Sequence, residues 1–464
     1  MPIFILIAAI AFVIWRLPKP LEETPGQFAH LTVRGYRFRR GLNWLIAGLS
    51  YAFLVFGRYN LNAAIKAIGG NEMVKDFNWI FGAGTIAYGI SFLLNGPLTD
   101  RRGGRFSLAI GVAGAMVANM LMAIVTWRFQ QGAIDKGLFF WTLLVLYVIN
   151  MYFQSFGAVA IVKISASWFH VRERGVFGAV FGILISLGIY FAYDWSNAIL
   201  NTFKWSVPWV FAIPSAFLAV ALIGISFCVR NRPSDAGFAD PQTGDASEGD
   251  TKTQPDPAIT VFTAMLKNPI IMTICGIEFC SGFLRQSVMQ QYPLFAKLVG
   301  FDKEWVMKNW GLLLCCAGIL GGVIAGLVSD KLFQSKRAMA ALPMYAVLFL
   351  GGALMLLTLG IPLVGWVAVF MSFAVIGVHG LLSGTATQDF GGTKNAGVAT
   401  GLVDGFVYLG TGFQSLLYIF ILPSGEAAKD TGHWIQWPIS MIPMAVIGTV
   451  LCWNIRHAKP KRKA

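Results

Sequence analysis

Long apolar stretches alternate with short polar breaks along almost the whole chain. A bilayer core about 30 Å thick needs about 20 apolar residues per crossing helix, and the stretches have about that length. In order, they predict helices at 42–66, 77–98, 106–127, 138–167, 176–200 and 208–229, then at 268–298, 306–329, 338–360, 362–386, 396–422 and 436–455. The pattern therefore predicts an all-α membrane protein with six plus six transmembrane helices.

A further apolar run, PIFILIAAIAFVIW, precedes this series at residues 2–15. At 1.5 Å per residue it reaches only about 21 Å. Its positive charges, Arg16 and Lys19, follow the run, and no small-residue cleavage site is evident, so it does not read as a signal peptide. The run predicts an extra N-terminal helix with its N-terminus outside, and a helix lying in the interface stays open as the alternative.

The two groups of helices are separated by residues 233–259, which are rich in Pro, Gly, Ser, Thr and Asp, as linkers are. We therefore expect the following organisation: an N-terminal apolar helix and basic segment at 1–40, a six-helix half at 41–230, a linker at 231–262, a second six-helix half at 263–456, and a basic tail at 457–464.

Composition supports a membrane protein, because 56% of residues are hydrophobic, only 12% are charged, and the mean hydropathy is +0.64. The net charge of +14 could suggest nucleic-acid binding, but the basic residues gather in alternate loops. That distribution follows the positive-inside rule and excludes nucleic acid as the partner. It places the basic loops and the C-terminus in the cytoplasm, on the inner face of the plasma membrane of the cell.

The sequence contains no recognisable catalytic or metal-binding motif. The six cysteines lie in or beside apolar segments without metal-ligand partners nearby, so we interpret them as packing residues and expect no metal. There is no phosphate-cradling Gly-x-x-x-x-Gly-Lys-Ser/Thr loop and no nucleophile elbow. The chain is therefore not expected to be an enzyme or to hold a cofactor.

An internal repeat relates the two groups of helices. GPLTDRRGGR (96–105) follows the second predicted helix of the first group, and GLVSDKLFQSKR (326–337) follows the second helix of the other. A second pair of breaks, WFHVRERG (168–175) and QDFGGTKNAG (388–397), lies between the fourth and fifth helices of each group. Such repeats indicate two pseudo-symmetric halves with a substrate path between them, the architecture of major facilitator transporters.

Arg58 and Arg285 are charges inside apolar helices, where each costs at least about 2.5–3.5 kcal/mol and marks a functional site. Each lies about 24 Å along its predicted helix, close to the membrane middle. Arg58 precedes Asp100 by 42 residues and Arg285 precedes Asp330 by 45, so the repeat makes them equivalent.

Two converging guanidinium groups predict an anion, since the planar fork suits the oxygens of phosphate or carboxylate. The alternative left open is that Arg285 pairs with Glu278, seven residues earlier on the same helical face.

Seven motifs follow one another along the chain: SYAFLVFGRYN, AYGIS, FQSFG, WFHVRERG, FLRQSVMQQYP, DKLFQSKR and KNAGVATGLVDGFVYLG. In this order and spacing they resemble the organophosphate:phosphate antiporter family, which includes glycerol-3-phosphate and hexose-6-phosphate transporters. The resemblance covers nearly the whole chain after residue 40. It implies that Arg58 and Arg285 bind the substrate phosphate and that Tyr51, Gln154 and Tyr408 lie in the central pocket, with ordinary packing still open for these three.

The chain departs from the family pattern inside the pocket. Ile185 stands where glycerol-3-phosphate transporters have a histidine, and Phe92 where they have a lysine. In addition, Glu278, His379 and Asp404 bring ionisable groups into predicted helices, His379 in place of a proline of the family. We expect His379 and Asp404 to contact sugar hydroxyls or take up a proton, and a structural hydrogen bond remains open.

The resemblance implies exchange of an organic phosphate ester for inorganic phosphate by alternating access, carried out by a monomer in the lipid bilayer. A membrane receptor for external sugar phosphate, or a transporter of another small anion such as carboxylate or nitrate, are the alternatives. Charged residues of the repeated loops are predicted to latch the two states, with topology signals as the alternative reading: Asp100, Arg101, Arg105, Arg172, Glu173, Arg174, Asp330 and Lys331.

Overall fold

The computed structural model describes residues 34–69, 72–170, 182–241, 258–333, 337–383 and 387–457, with the backbone alone at 34, 73, 258, 327, 330, 331 and 387–396. The N-terminal helix predicted at residues 2–15 lies outside the described residues. So do residues 242–257 of the linker, nearly all of the basic tail, and the predicted latch residues Arg172, Glu173 and Arg174.

The described residues form long helices that follow the predicted ones closely. The first group consists of α1 (Arg34–Ile68), α2 (Met73–Arg102), α3 (Gly104–Gln130), α4 (Lys136–Trp168), α5 (Gly182–Thr202) and α6 (Pro208–Cys228). The second consists of α7 (Pro269–Leu298), α8 (Trp310–Leu327), α9 (Arg337–Thr358), α10 (Leu363–Leu381), α11 (Thr387–Ile421) and α12 (Gln436–Asn454). The predicted all-α fold is confirmed.

Not all of these helices are apolar enough to be recognised as membrane spans by composition. Of the described helices, eight meet the criteria of length and hydropathy, or nine when the bent pair Ile259–Leu266 and Pro269–Leu298 counts as one. Helices α1 and α11 do not meet them because they carry buried polar residues such as Arg58, Asn62 and Asp404. These buried polar residues lie in the interior of the bundle, where a polar site can form.

Local sequence signals set several helix ends. Asp135 caps α4 by accepting a hydrogen bond from the Leu138 N–H at 3.0 Å. Asn268 caps α7 in the same way, with a proline at the first helical position. Helix α2 ends at Gly103, whose φ of 90° suits a residue without a side chain. These caps and the glycine mark where the helices begin and end.

Two ends of the bundle can be distinguished by their contacts. At one end of the bundle, where α2 and α6 end, Arg39 donates to the Cys228 carbonyl at 2.6 Å. We call this end the basic face. The opposite end, the far face, is sealed by hydrogen bonds between the two helix groups. These join Gln286 Nε2 to Tyr59 Oη (3.0 Å), Asn62 Nδ2 to the Gln290 carbonyl (3.0 Å), Gln291 Nε2 to Asn78 Oδ1 (2.6 Å) and Tyr193 Oη to the Met289 carbonyl (2.9 Å).

Towards the basic face, α2 and α11 approach each other through glycines. A Cβ at Gly96 would lie 2.6 Å from the Gly397 carbonyl oxygen, and one at Gly401 would lie 2.6 Å from the Phe92 carbonyl oxygen. Lipid tails are as apolar as the side chains, so no hydrophobic effect drives helices together in a membrane. Helices associate there through such close backbone packing instead. The α2–α11 contact therefore joins the two groups on this side.

This contact gives a prediction about stability. Gly96→Ala should lower the melting temperature of the purified protein, because the new methyl group meets a backbone oxygen and overpacking costs about 1–3 kcal/mol. Gly322→Ala is the matched control, since a Cβ there meets nothing within 4 Å. It should gain about 0.5–1 kcal/mol from helix propensity. Thermal unfolding in detergent measures both, and a melting temperature for Gly96→Ala at or above wild type would contradict the packing described.

Candidate functional site

A cavity of about 170 Å³ lies between the two groups of helices. At one end it is bounded by Arg58 of α1 and Arg285 of α7, and it extends past α8 to Arg337 at the start of α9. The repeat-related arginines thus share one cavity. Of the other residues predicted for the pocket, Tyr51, His379 and Tyr408 line the cavity wall, whereas Gln154, Glu278 and Asp404 lie behind it.

Arg58 is held by a set of neutral acceptors. Its Nε donates to Gln154 Oε1 at 2.8 Å, one Nη donates to Tyr408 Oη at 2.8 Å, and the other to Tyr88 Oη at 2.7 Å. The side chain is only 1% exposed, and its guanidinium carbon lies 4.4 Å from the centre of the Tyr88 ring. The charge is therefore oriented and solvated by dipoles, with no described carboxylate to neutralise it.

The acceptor from α4 is itself fixed by hydrogen bonds. Gln154 Nε2 donates to Asn150 Oδ1 at 3.1 Å, and Asn150 Nδ2 donates to the Gly57 carbonyl at 3.0 Å. Tyr147 Oη donates to the Arg58 carbonyl at 3.1 Å. Spacings of three and four residues put these side chains on one face of α4. The network turns the carbonyl oxygen of Gln154 towards Arg58.

Arg285 has the opposite environment. It is 6% exposed, and its Nε and one Nη are buried without a hydrogen-bond partner among the described residues. Its guanidinium carbon lies 5.4 Å from the centre of the Tyr408 ring, and that of Arg58 lies 5.5 Å from the same centre. Leaving a buried charged donor unpaired costs at least about 1–3 kcal/mol. The two cations flank one ring, and neither forms an ion pair with a carboxylate of the described residues.

The alternative pairing of Arg285 with Glu278 is not what the described contacts show. Glu278 is fully buried, and its Oε2 lies 3.1 Å from Nδ1 of His379 across the α7–α10 contact. Asp404 Oδ1 accepts a hydrogen bond from the Ser383 hydroxyl. Among the described contacts, the ionisable groups of α7 and α10 thus contact each other and that of α11 bonds to Ser383, although all three lie close enough to Arg285 to interact with it electrostatically.

The departures from the family pattern make this part of the site apolar. Phe92 is fully buried, lies edge-on to Tyr88 with ring centres 4.6 Å apart, and stacks on Tyr408 at 5.8 Å. Ile185 lies in the cavity wall. Apolar side chains thus occupy the two positions that are cationic in glycerol-3-phosphate transporters.

Among the predicted latch residues, Asp100 joins the two helix groups. Its carboxylate lies 2.7 Å from Lys163 Nζ and accepts the backbone N–H groups of Gly397 and Val398 at 3.3 and 3.2 Å. Arg105 instead bonds within the first group, to the Ser226 carbonyl at 2.5 Å.

The remaining predicted latch residues add little to this picture. Arg101 is exposed at the end of α2. Asp330 and Lys331 are described by their backbone alone, and Arg172 and Arg174 lie outside the described residues.

Sequence reasoning missed three residues of this region. Tyr88 stands in the AYGIS motif but was not singled out as a partner of Arg58. Lys163, the partner of Asp100, was visible as a charge inside the predicted helix 138–167. Arg337 was assigned to a basic loop, whereas it also lines the cavity.

Comparisons with known proteins agree with the motifs. The model of the Major Facilitator Superfamily matches residues 47–415. The glycerol-3-phosphate transporter of Bacillus subtilis is 26% identical, covering 88% of this chain and 90% of that protein. The membrane sensor protein UhpC of Escherichia coli is 26% identical over 92% and 95%. A probable hexose phosphate transport protein of Chlamydia trachomatis is 23% identical over 91% and 93%.

Among solved structures, a similar fold occurs in a bacterial homologue of the human lysosomal transporter Spinster, in an inward-facing and unoccupied conformation. The TM-score is 0.65 at 13% identity, covering 90% of this chain and 97% of that chain. At this identity the likeness concerns the fold alone.

The contrast between the arginines gives a prediction for the ligand-free protein. Arg58→Met should lower the melting temperature, since it strips three acceptors of their donor. Arg285→Met should raise it, because it removes a buried charge whose donors lack partners. Thermal unfolding of both variants in phosphate-free detergent buffer measures the difference. A drop for Arg285→Met as large as that for Arg58→Met would contradict the asymmetry.

Proposed function

The chain belongs to the Major Facilitator Superfamily, and on that premise we propose that it exchanges an organic phosphate ester for inorganic phosphate by alternating access. The observation that carries the proposal is the pair of buried guanidinium groups beside Tyr408, of which Arg285 has donors without partners among the described residues. A phosphate dianion would supply both the missing acceptors and the missing charge. Glycerol-3-phosphate and hexose phosphate transporters among the relatives support this choice of anion.

Electrostatics then accounts for obligatory exchange. Closing an empty site would bury two like charges without a counter-ion, which is strongly unfavourable. A bound phosphate neutralises both charges, so that the two groups of helices can rock around it. Only loaded states would cross between the two orientations, and one phosphate compound would leave for each that binds.

The contacts at the two ends support a pair of gates. The far face is sealed by contacts such as that of Gln286 with Tyr59, and we assign it to the outside. We assign the basic face to the cytoplasmic side of the inner membrane. Residues 41–230 and 263–456 would be the rocking units. Asp100 would be the latch of the inner gate, and the other charged residues of the repeated loops would contribute to the same gate: Arg101, Arg105, Arg172, Arg174, Asp330 and Lys331.

A receptor is the second candidate, because a relative of similar identity and coverage is a membrane sensor protein. Such a protein would bind phosphate esters and signal the occupied state without exchanging its ligand. Purified protein in liposomes loaded with phosphate distinguishes the two functions. Binding of the ester with release of internal phosphate supports transport, and binding without release supports a sensor.

Lysine variants test the clamp. Arg58→Lys and Arg285→Lys should each abolish counterflow of radiolabelled phosphate in liposomes, because an ammonium keeps the charge but loses the planar fork. Arg128→Lys is the matched control, since Arg128 is exposed on α3, and it should exchange normally. Normal counterflow in either clamp variant would contradict the proposal.

The identity of the anion is tested by competition. Inorganic phosphate should inhibit uptake of the organic ester at concentrations where nitrate and simple carboxylates do not. Inhibition by nitrate or a carboxylate, with phosphate inactive, would assign the paired arginines to another anion.

A further inference from the structure

A second polar group faces the same cavity from α10. The ring of His379 is part of the cavity wall, and its side chain is 21% exposed. Its Nδ1 lies 3.1 Å from Oε2 of Glu278, whose side chain is fully buried. The other ring nitrogen, Nε2, has no hydrogen bond to a described residue. One nitrogen is thus anchored in the protein, and the other is left for a ligand.

The anchoring fixes what Nε2 can offer. A buried carboxylate on Nδ1 orients the imidazole and selects its tautomer, as second-shell carboxylates do for histidines in functional sites. If Glu278 is ionised, Nδ1 carries the hydrogen and Nε2 accepts. If Glu278 is protonated, Nε2 carries the hydrogen and donates. A hydroxyl group can satisfy either form, because it both donates and accepts.

The position of His379 relative to the clamp suits the organic part of a phosphate ester. Glu278 and Arg285 lie seven residues apart on α7, which is about 10 Å along the helix, with Glu278 nearer the basic face. Glycines of the cavity wall leave space in it, since a Cβ at Gly322 or Gly380 would meet nothing within 4 Å. The cavity that both His379 and Arg285 line thus has room for a small hydroxylated chain or ring.

Part of the cavity wall is apolar. Ile185, Ile189 and Ile376 contribute apolar surface to the cavity that His379 lines, and the nearby Ser186 hydroxyl is bonded to the Gly182 carbonyl. An apolar pocket distinguishes poorly between ligands that differ by one hydroxyl, whereas an unpaired polar group strongly prefers the hydroxylated one.

We propose that His379, held by Glu278, hydrogen-bonds a hydroxyl of the organic moiety and selects hydroxylated phosphate esters, of sugar-phosphate size, over apolar ones. The proposal rests on the phosphate clamp of the proposed function. In it, His379 contacts the ligand and Glu278 is a positioning residue.

Competition between two esters tests the proposal. A hexose 6-phosphate and methyl phosphate each compete against radiolabelled phosphate in liposomes. Methyl phosphate has no hydroxyl on its organic part. His379→Met should raise the inhibition constant of the hexose phosphate about tenfold more than that of methyl phosphate, as expected for losing one hydrogen bond in a dry site. His379→Gln, which keeps a donor and an acceptor, should recover part of the selectivity. Glu278→Gln should lower it.

Ser372→Ala is the control on the same helix, because the Ser372 hydroxyl bonds only to the Ala368 carbonyl among the described residues, and the ratio should not change. Equal loss for both esters in His379→Met would overturn the proposal, as would a change confined to the pH profile, which would make His379 a proton carrier. If wild-type protein binds the hexose phosphate without exchanging phosphate, transport fails, and the same ratio is read from ligand-induced thermal stabilisation.

Discussion

The organisation of this protein depends on two buried arginines for which the described residues provide no ion pair with a carboxylate. Arg58 and Arg285 flank the ring of Tyr408 at 5.5 and 5.4 Å, in the middle of a membrane bundle. The protein orients Arg58 with three neutral acceptors but leaves donors of Arg285 without partners among the described residues. A buried charge is tolerated only when something compensates it, and the proposed phosphate would do so here.

The surrounding structure gives this charge its effect on conformation. Hydrogen bonds such as Asn62 to Gln290 seal the far face, and glycine packing of α2 on α11 joins the helix groups towards the basic face. Asp100 adds a carboxylate that bridges Lys163 and the backbone of α11. In the proposed exchange, the charge balance of the cavity between these contacts would control whether both sides can close around it.

Much of this could be predicted from the sequence because the bilayer imposes a simple rule on helix length. The helix boundaries and the pairing of Arg58 with Arg285 follow from apolar runs and an internal repeat. The partner of Glu278 could not be predicted. Helical periodicity puts Arg285 on the same face of the same helix, but it carries no information about His379, which is on another helix. Such contacts between helices depend on how the helices pack, and this is also why Tyr88 and Lys163 were missed as partners.

A double-mutant cycle on phosphate affinity tests the central claim most directly. Wild type, Arg58→Met, Arg285→Met and the double variant are titrated with inorganic phosphate at fixed pH and salt. If the two guanidinium groups act as one clamp, either single change should remove nearly all of the affinity, and the double variant should lose little more than each single one. Losses that simply add would mean that the arginines bind independently, and unchanged affinity in either single variant would contradict the shared anion site.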